Sequence, residues 1–464
     1  MSQTPVRAIL IGAGQRGALS YAPYALQHPE KLQFAAVAEP DPARRVAFAE
    51  QHNIPPKNRF ESWEPLLEKP AFGEAAVIAT QDWQHTAPAA AAMRAGYHVL
   101  LEKPMATTPE DCRLLYQTSK EAGRQLFICH VLRYTPHFQK MRELVGSGVL
   151  GRIIQVEHRE NVSFWHMAHS YVRGNWANSE ESSPMILAKC CHDLDILPWV
   201  LGQNPVRLVS TGSLLHFRPK NAPEGAPARC LDGCPAADIC PYYAPFIYLD
   251  MDPFWNSFAD TARGFNRWAA RTWTRNPALI RMLSLAVPPL RQLAGYDGWP
   301  LHVLASDPTP ENIAAALCDG PYGRCVYHCD NDVVDNQVVL MEMGDGSSVT
   351  LTMHGHSHNE VRTTRIEGTE GRLLAEFGLG GSRIVLDEHR TDWHMEFDTS
   401  AGADEGHGGG DLRLVEAFVE SLHRGDTEAA LQGTREALQA HLLAFAAEES
   451  RLGGRFVGSE AWIE

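Results

Sequence analysis

The stretch VRAILIGAGQRG, running from Val6 to Gly17, decides the reading of this 464-residue chain. Val6–Ile11 is an apolar run of strand length, and Gly12 closes it. Glycines fall at 12, 14 and 17, followed by a helix-compatible stretch to about Gln27. In such a turn Gly12 permits the tight bend, Gly14 lets a pyrophosphate approach the backbone, and Gly17 lets the helix lie close to the strand. The helix start offers free N–H groups and partial positive charge to phosphate, with Gln15 and Arg16 beside it. A second apolar run, Phe34–Ala38, ends at Glu39, 22 residues past Gly17. A carboxylate there accepts hydrogen bonds from an adenosine ribose and repels a 2′-phosphate, which favours NAD over NADP. Arg44 and Arg45 follow closely and weaken that preference.

The alternation continues outward. Strands are predicted over Ala75–Thr80, His98–Leu101 and Gln125–His130, with helices over Pro88–Ala95 and Cys112–Ala122. That order implies an α/β fold with a doubly wound parallel sheet, whose ligands sit beyond the carboxyl ends of the strands. Those ends carry Thr80, His85, Glu102 and Lys103 as cofactor-side candidates and Tyr134 as a substrate-side candidate. Hydrophobic residues make up 44% and charged residues 21%, which suits a soluble protein of two or three domains. The formal charge of −15 argues against a nucleic-acid surface. No apolar run reaches the ~18 residues that span a bilayer. The start reads as a strand and glycine loop rather than a secretion signal, so a cytoplasmic protein with no membrane partner is expected.

The segments GAGQRG, AVAEPD, VIATQDWQHTAPAAAAMRAGYHVLLEKPMA and VLRYTPHFQKMRELVGSGVLGRI occur in an order that resembles the Gfo/Idh/MocA oxidoreductases. The resemblance is dense over about the first 155 residues and resumes at MILAKCCHDLDILPWVLG and GHGGGDLRLVEAFVESL. It implies an N-terminal Rossmann domain, taken here as residues 1–128. A C-terminal α/β domain, 129–464, then carries a large, mostly antiparallel sheet. It also implies NAD-dependent chemistry on a CH–OH carbon of a sugar, sugar derivative or cyclitol, in a homo-oligomer. The lysine of the E-K-P triplet, Lys103, takes the place between nicotinamide and substrate. A lysine suits this because its compact ammonium shifts its pKa readily when buried. His192 is the second catalytic candidate, since an imidazole titrates near neutrality and can take an alcohol proton. Family members often carry an Asp four residues before this His. Ala188 stands there, next to Lys189, so Lys189, His192 or Asp193 is expected to handle the proton. Upstream, His166, His169, Arg173 and Trp176 form a mixture that suits a carbohydrate site, or else a loop with core tryptophans. His158 and Glu160 are two apart and share one face of a strand.

Residues from about 216 to 329 read as an insertion rich in Arg and Trp. Cys230, Cys234 and Cys240, with Cys318, Cys325, His328 or Cys329 as a fourth ligand, would hold a structural zinc or else remain buried thiols. Beyond it, Val338–Met343 with Ser348–His354 and Arg362–Glu367 with Arg372–Phe377 are predicted hairpins. His354, His356 and His358 alternate, as a metal trio or as ordinary packed or exposed histidines. Glu405–Asp411, with His407, is expected to open a helix over Leu412–His423 near the active site, and a last packing helix is expected over about Glu436–Leu452. Two other functions fit the same fold. One is a glycosidase that oxidises, eliminates, hydrates and re-reduces on bound NAD with no net NADH. The other is a cofactor-sensing binding protein without turnover.

Overall fold

The apolar runs of the first 130 residues become six short strands: β1 (Val6–Ile11), β2 (Leu32–Ala38), β3 (Arg59–Phe60), β4 (Ala75–Ile78), β5 (His98–Leu101) and β6 (Leu126–Ile128). They form one parallel sheet in the order β3-β2-β1-β4-β5-β6. The computed structural model describes residues 4–400 and 407–462. β1 lies in the sheet interior with Ala8, Ile9 and Leu10 fully buried, because helices cover both faces of a parallel sheet. Gly12 has φ +90°, and a Cβ there would meet the Ala79 carbonyl oxygen at 2.6 Å; at Gly17 it would meet the Gly12 carbonyl oxygen at 2.2 Å. No other residue fits either place. The helix opened by this loop is wide over Gln15–Tyr21, with the Ala22 N–H bonding back to the Gly17 carbonyl, and narrows over Pro23–Gln27. Pro23 supplies the reason, since it lacks an N–H to donate into the preceding turn.

Helix starts follow local chemistry. Asp41, Thr108 and Thr135 each precede a proline and accept the amide N–H three residues on, opening the helices Pro42–Gln51, Pro109–Ala122 and Pro136–Gly146. β4 and β6 are shorter than the predicted strands, because their polar ends turn out of the sheet toward its carboxyl edge.

The second sheet has nine strands. They are β7 (Ile153–Ser163), β8 (Pro205–Ser213), β9 (Asn336–Met343), β10 (Ser348–Ser357), β11 (Val361–Gly368), β12 (Gly371–Gly378), β13 (Gly381–Glu388), β14 (His394–Asp398) and β15 (Val457–Gly458). The order is β14-β13-β12-β11-β7-β10-β9-β8-β15, antiparallel except for β7 beside β10. β8 pairs with β9 up to Ser213 opposite Asn336, so residues 214–335 leave the sheet between two neighbouring strands. That excursion holds the cysteines and the Arg-rich helices. His354, His356 and His358 do not converge. They meet Asn161, Tyr242 and Asp260 respectively, because the β7–β10 register shifts after His354.

The last helix, Thr427–Gly453, starts earlier than predicted because Asp426 caps it at the Ala429 N–H. It returns to the first sheet, where the Thr434 hydroxyl donates to the Leu126 carbonyl at 2.6 Å. Beside it, Arg133 makes two 2.7 Å bonds to Asp195 and one to Glu436. Asp195 is all but inaccessible, so Arg133→Met strands a buried carboxylate. The variant is expected to lose about 3–5 kcal/mol of stability, read as a lowered urea midpoint. An unchanged midpoint would show that the pair contributes little.

Candidate active site

The carboxyl edge of the first sheet is a cradle. A Cβ at Gly14 would meet nothing within 4 Å, so the loop backbone there faces open space. Glu39, at the end of β2, is buried and accepts the Ala13 N–H at 2.7 Å and the Asp41 N–H at 3.0 Å. The Arg45 guanidinium is folded back onto the Glu39 and Pro40 carbonyls. The Thr80 hydroxyl, just past β4, is buried without a partner. These are the features a dinucleotide needs: an open glycine backbone, a ribose-facing acid and an unsatisfied hydroxyl. His85 does another task, bridging the Pro104 carbonyl at 2.7 Å and the Thr80 carbonyl at 3.3 Å, and so ties the loop after β4 to that after β5.

The turn after β5 is held on every side. Glu102 accepts the Arg16 Nε at 2.5 Å, the Tyr21 hydroxyl at 2.9 Å and the Lys103 N–H. Burial works against its charge, but Arg16 and Lys103 outweigh it and hold the carboxyl below its usual range. Arg16 also reaches Asp411 at 2.8 and 3.1 Å, at the start of the helix Gly410–Arg424. Burial opposes the Asp411 charge too, yet Arg16 and His407 keep that carboxyl well below its usual range. Glu405 and Gly406 lie outside the described residues; His407 itself sits 3.2 Å from both Arg16 and Asp411. From the other side, His441 accepts the Met105 N–H at 2.7 Å and donates to the Ala437 carbonyl at 2.7 Å. Those partners require the neutral tautomer with the proton on Nδ1.

Lys103 Nζ donates to the Ala188 carbonyl at 3.0 Å. Ala188 offers no side-chain acid at this point, and Lys103 meets its main-chain oxygen. His192 opens the next helix, is 5% exposed, and its Nδ1 is buried without a partner. Burial first, then Lys103 and the nearby His130, drive its pKa well below the ordinary histidine value, so the ring is neutral. His130 lies 5.8 Å away and His407 6.4 Å, ring centre to ring centre.

Facing this turn, β7 and β11 bury a lattice of charges. Arg362 binds Asp193 at 2.7 Å and Glu160 at 2.5 Å, and His158 bonds Asp193 at 2.9 Å. Lys189 pairs with Glu360 at 3.0 Å and Glu160 at 3.5 Å, while His166 bonds Glu360 at 2.9 Å. Burial opposes the Lys189 charge, but the two carboxylates prevail and hold its ammonium well above the usual range. This placement suits a fixed charge rather than the proton handling expected from sequence. Asp193 likewise has both oxygens committed.

Other expected residues are placed elsewhere. Arg173 is buried and clasps the insertion through the Arg324 and Tyr242 carbonyls, both at 2.7 Å. His169 stacks on Tyr322 with ring centres 4.7 Å apart and bonds Tyr248. Tyr134 packs on Phe127. The Trp176 indole donates to Asp82 at 2.8 Å, joining its loop to the edge of the first sheet. Cys230, Cys234, Cys240 and Cys325 line one small cavity beside Arg173. Yet among the described residues no three His, Cys, Asp or Glu side chains are placed to hold a metal ion, which corrects the zinc expectation. The reason is local: Arg173 and the Arg324 carbonyl engage the Cys230 sulfur, and burial pushes the Cys240 and Cys325 thiols up, toward the neutral form. Glu360, Arg362, Asp411 and His441 are not singled out by sequence; each meets at least one partner across a long chain separation.

Models of known families match both parts of the chain. The oxidoreductase family's NAD-binding Rossmann fold matches residues 6–130, and its C-terminal alpha/beta domain matches 142–243. Both domains of the Gfo/Idh/MocA oxidoreductase family are thus matched, in their order along the chain. Among relatives, YteT of Bacillus subtilis is 22% identical over 351 residues, 73% of this chain and 70% of its own length. Inositol 2-dehydrogenase 2 of Saccharopolyspora erythraea is 33% identical over 135 residues, 29% of this chain and 36% of its own. With other curated relatives too, the match spans less than half of their length. Among solved structures, a levoglucosan dehydrogenase in complex with NADH and levoglucosan superposes with TM-score 0.62 at 16% identity, covering 98% of this chain and 99% of that one.

The His441 geometry makes a pH prediction. Burial, and then His130, lower its pKa from 6.5 to about 3. The unfolded chain therefore binds a proton that the folded chain refuses, so stability falls as pH drops from about 6.5 toward about 3. Proton uptake on unfolding, measured from urea midpoints across that window, is expected to fall by about one in His441→Gln. An identical slope in the variant would refute the neutral assignment.

Proposed function

We propose that this protein is an NAD-dependent dehydrogenase acting on a CH–OH group of a neutral sugar, sugar derivative or cyclitol. The observation that supports it most is the pairing of the Lys103 ammonium with the buried, neutral His192. Gly12–Gly17, Glu39 and Thr80 would hold the dinucleotide, which would supply the carbon that accepts or returns a hydride. The rest falls to side chains. His192 takes the hydroxyl proton on a ring nitrogen as hydride leaves. Lys103 donates to the reacting oxygen and offsets the negative charge that develops on it. The same ammonium disfavours a lasting imidazolium, so the ring gives its proton to solvent water. Glu102 and Arg16 hold the turn that presents Lys103, with Asp411 fixing Arg16 from the second domain.

Charge pairing supports a neutral substrate. Arg16, Arg362 and Lys189 each have carboxylates at ion-pair distance, and among the described residues of the site Lys103 has none. A carboxylate or phosphate away from the reacting carbon would find no free cation there. The buried Glu39 and the folded-back Arg45 favour NAD over NADP.

Calorimetry with NADH and NADPH is expected to show tighter binding of NADH. In assays against neutral sugars, cyclitols, uronates and sugar phosphates, NADH is expected to accumulate with a neutral polyol. Lys103→Ala and His192→Ala should each lower kcat by roughly 10²–10⁴-fold while NAD affinity stays within a few-fold. Glycoside cleavage that needs bound NAD but releases no net NADH would favour the redox-cycling glycosidase. Absence of NAD binding would overturn both.

A further inference from the structure

Residues 261–296, inside the excursion between β8 and β9, differ from the rest of the chain in charge. They contain arginines at 263, 267, 271, 275, 281 and 291, and no Lys, Asp or Glu, within a chain of formal charge −15. They fold as three short helices, Gly264–Arg275, Pro277–Ser284 and Pro288–Ala294. The helices close around a small apolar cluster of their own, Ala269, Ile280 and Leu290, separate from the main core. With that cluster filled, other large apolar side chains point outward. Phe265 is 47% exposed, Trp268 46%, Met282 60% and Leu285 78%. Phe265 and Trp268 lie on one helix face with ring centres 5.5 Å apart. The arginines at 263, 267, 271 and 275 recur every four residues along that same helix. Arg263 pairs with Glu396 and Arg271 with Asp260. Arg267 and Arg275 are exposed and have no ion-pair partner among the described residues.

We propose that this three-helix lobe docks on an anionic phospholipid surface. Exposed aromatic and aliphatic side chains beside the unpaired Arg267 and Arg275, on a segment that contributes no acid of its own, match a surface whose headgroups are negative and whose interior is apolar. A second copy of the chain fits less well, because a two-fold contact through this patch sets arginines against arginines. A nucleic acid would neutralise the guanidinium groups but leave Met282 and Leu285 in water. The lobe lies on the surface rather than spanning it: no helix among the described residues is long and apolar enough to cross a membrane. The sequence expectation of no membrane partner rests on the lack of a spanning segment, which has no bearing on a peripheral lobe.

The test uses the full chain and sedimentation with phosphatidylcholine vesicles, with or without about a third phosphatidylglycerol, over a range of salt. Binding is expected only to the anionic vesicles and should weaken as salt rises. The double variant Arg267→Glu/Arg275→Glu should reduce the bound fraction roughly tenfold, with NAD affinity unchanged as the check on folding. Met282→Ser/Leu285→Ser should weaken binding through loss of apolar contact. No binding at low salt, equal binding to neutral vesicles, or unaltered binding by both variants would overturn the proposal. So would arginine-dependent self-association or nucleic-acid binding without vesicle binding.

Discussion

Arg16 is the residue on which the arrangement turns. It stands inside the glycine loop, yet its guanidinium binds Glu102 beside Lys103 and Asp411 at the mouth of the second domain. One cation therefore joins three things that must keep register: the dinucleotide cradle, the turn presenting the ammonium, and the helix that closes the crevice. The fork of a guanidinium suits this work, because its donors leave in fixed directions and can meet two carboxylates at once. A lysine in its place would neutralise charge without fixing angles.

The second support is apolar in character although it uses histidines. His441, His130 and His192 are buried close to one another, and burial keeps them uncharged. A neutral imidazole both donates and accepts, so His441 can bridge the backbone of its own helix to the backbone after Pro104. The same burial that makes His441 a bracket leaves His192 uncharged as well. The difference lies in the partners: both ring nitrogens of His441 are used, while Nδ1 of His192 is unmet.

The sheet of the second domain contributes a prearranged set of compensated charges. Buried ions are costly unless each finds a counter-charge and further hydrogen bonds. Here Arg362, Lys189, Asp193, Glu160 and Glu360 offset one another's charge, with His158 and His166 bonded to Asp193 and Glu360. Such a lattice resists rearrangement, and among the described residues Lys103 has no carboxylate at ion-pair distance.

The sequence by itself determined the parallel sheet, the glycine turn and its position against β1 and β2, and the hairpins of the second sheet. Each of these rests on short-range regularities: strand-length apolar runs, two-residue alternation, and glycines where a Cβ has no room. His158 and Glu160 were legible as neighbours on one strand for the same reason. Tertiary structure alone decided what the polar residues do. Arg173, His169 and Trp176 read like ligands of a sugar, yet their partners are carbonyls, a tyrosine ring and Asp82. Lys189 reads as a proton carrier from its place in the chain, but β7 and the residue before β11 bring Glu160 and Glu360 against it, and the Cys230 sulfur meets Arg173 rather than a metal. The reason is that a side chain's charge and bonding depend on neighbours as much as some 395 residues away in the chain, as Arg16 and Asp411 show, and local pattern contains no record of such distances.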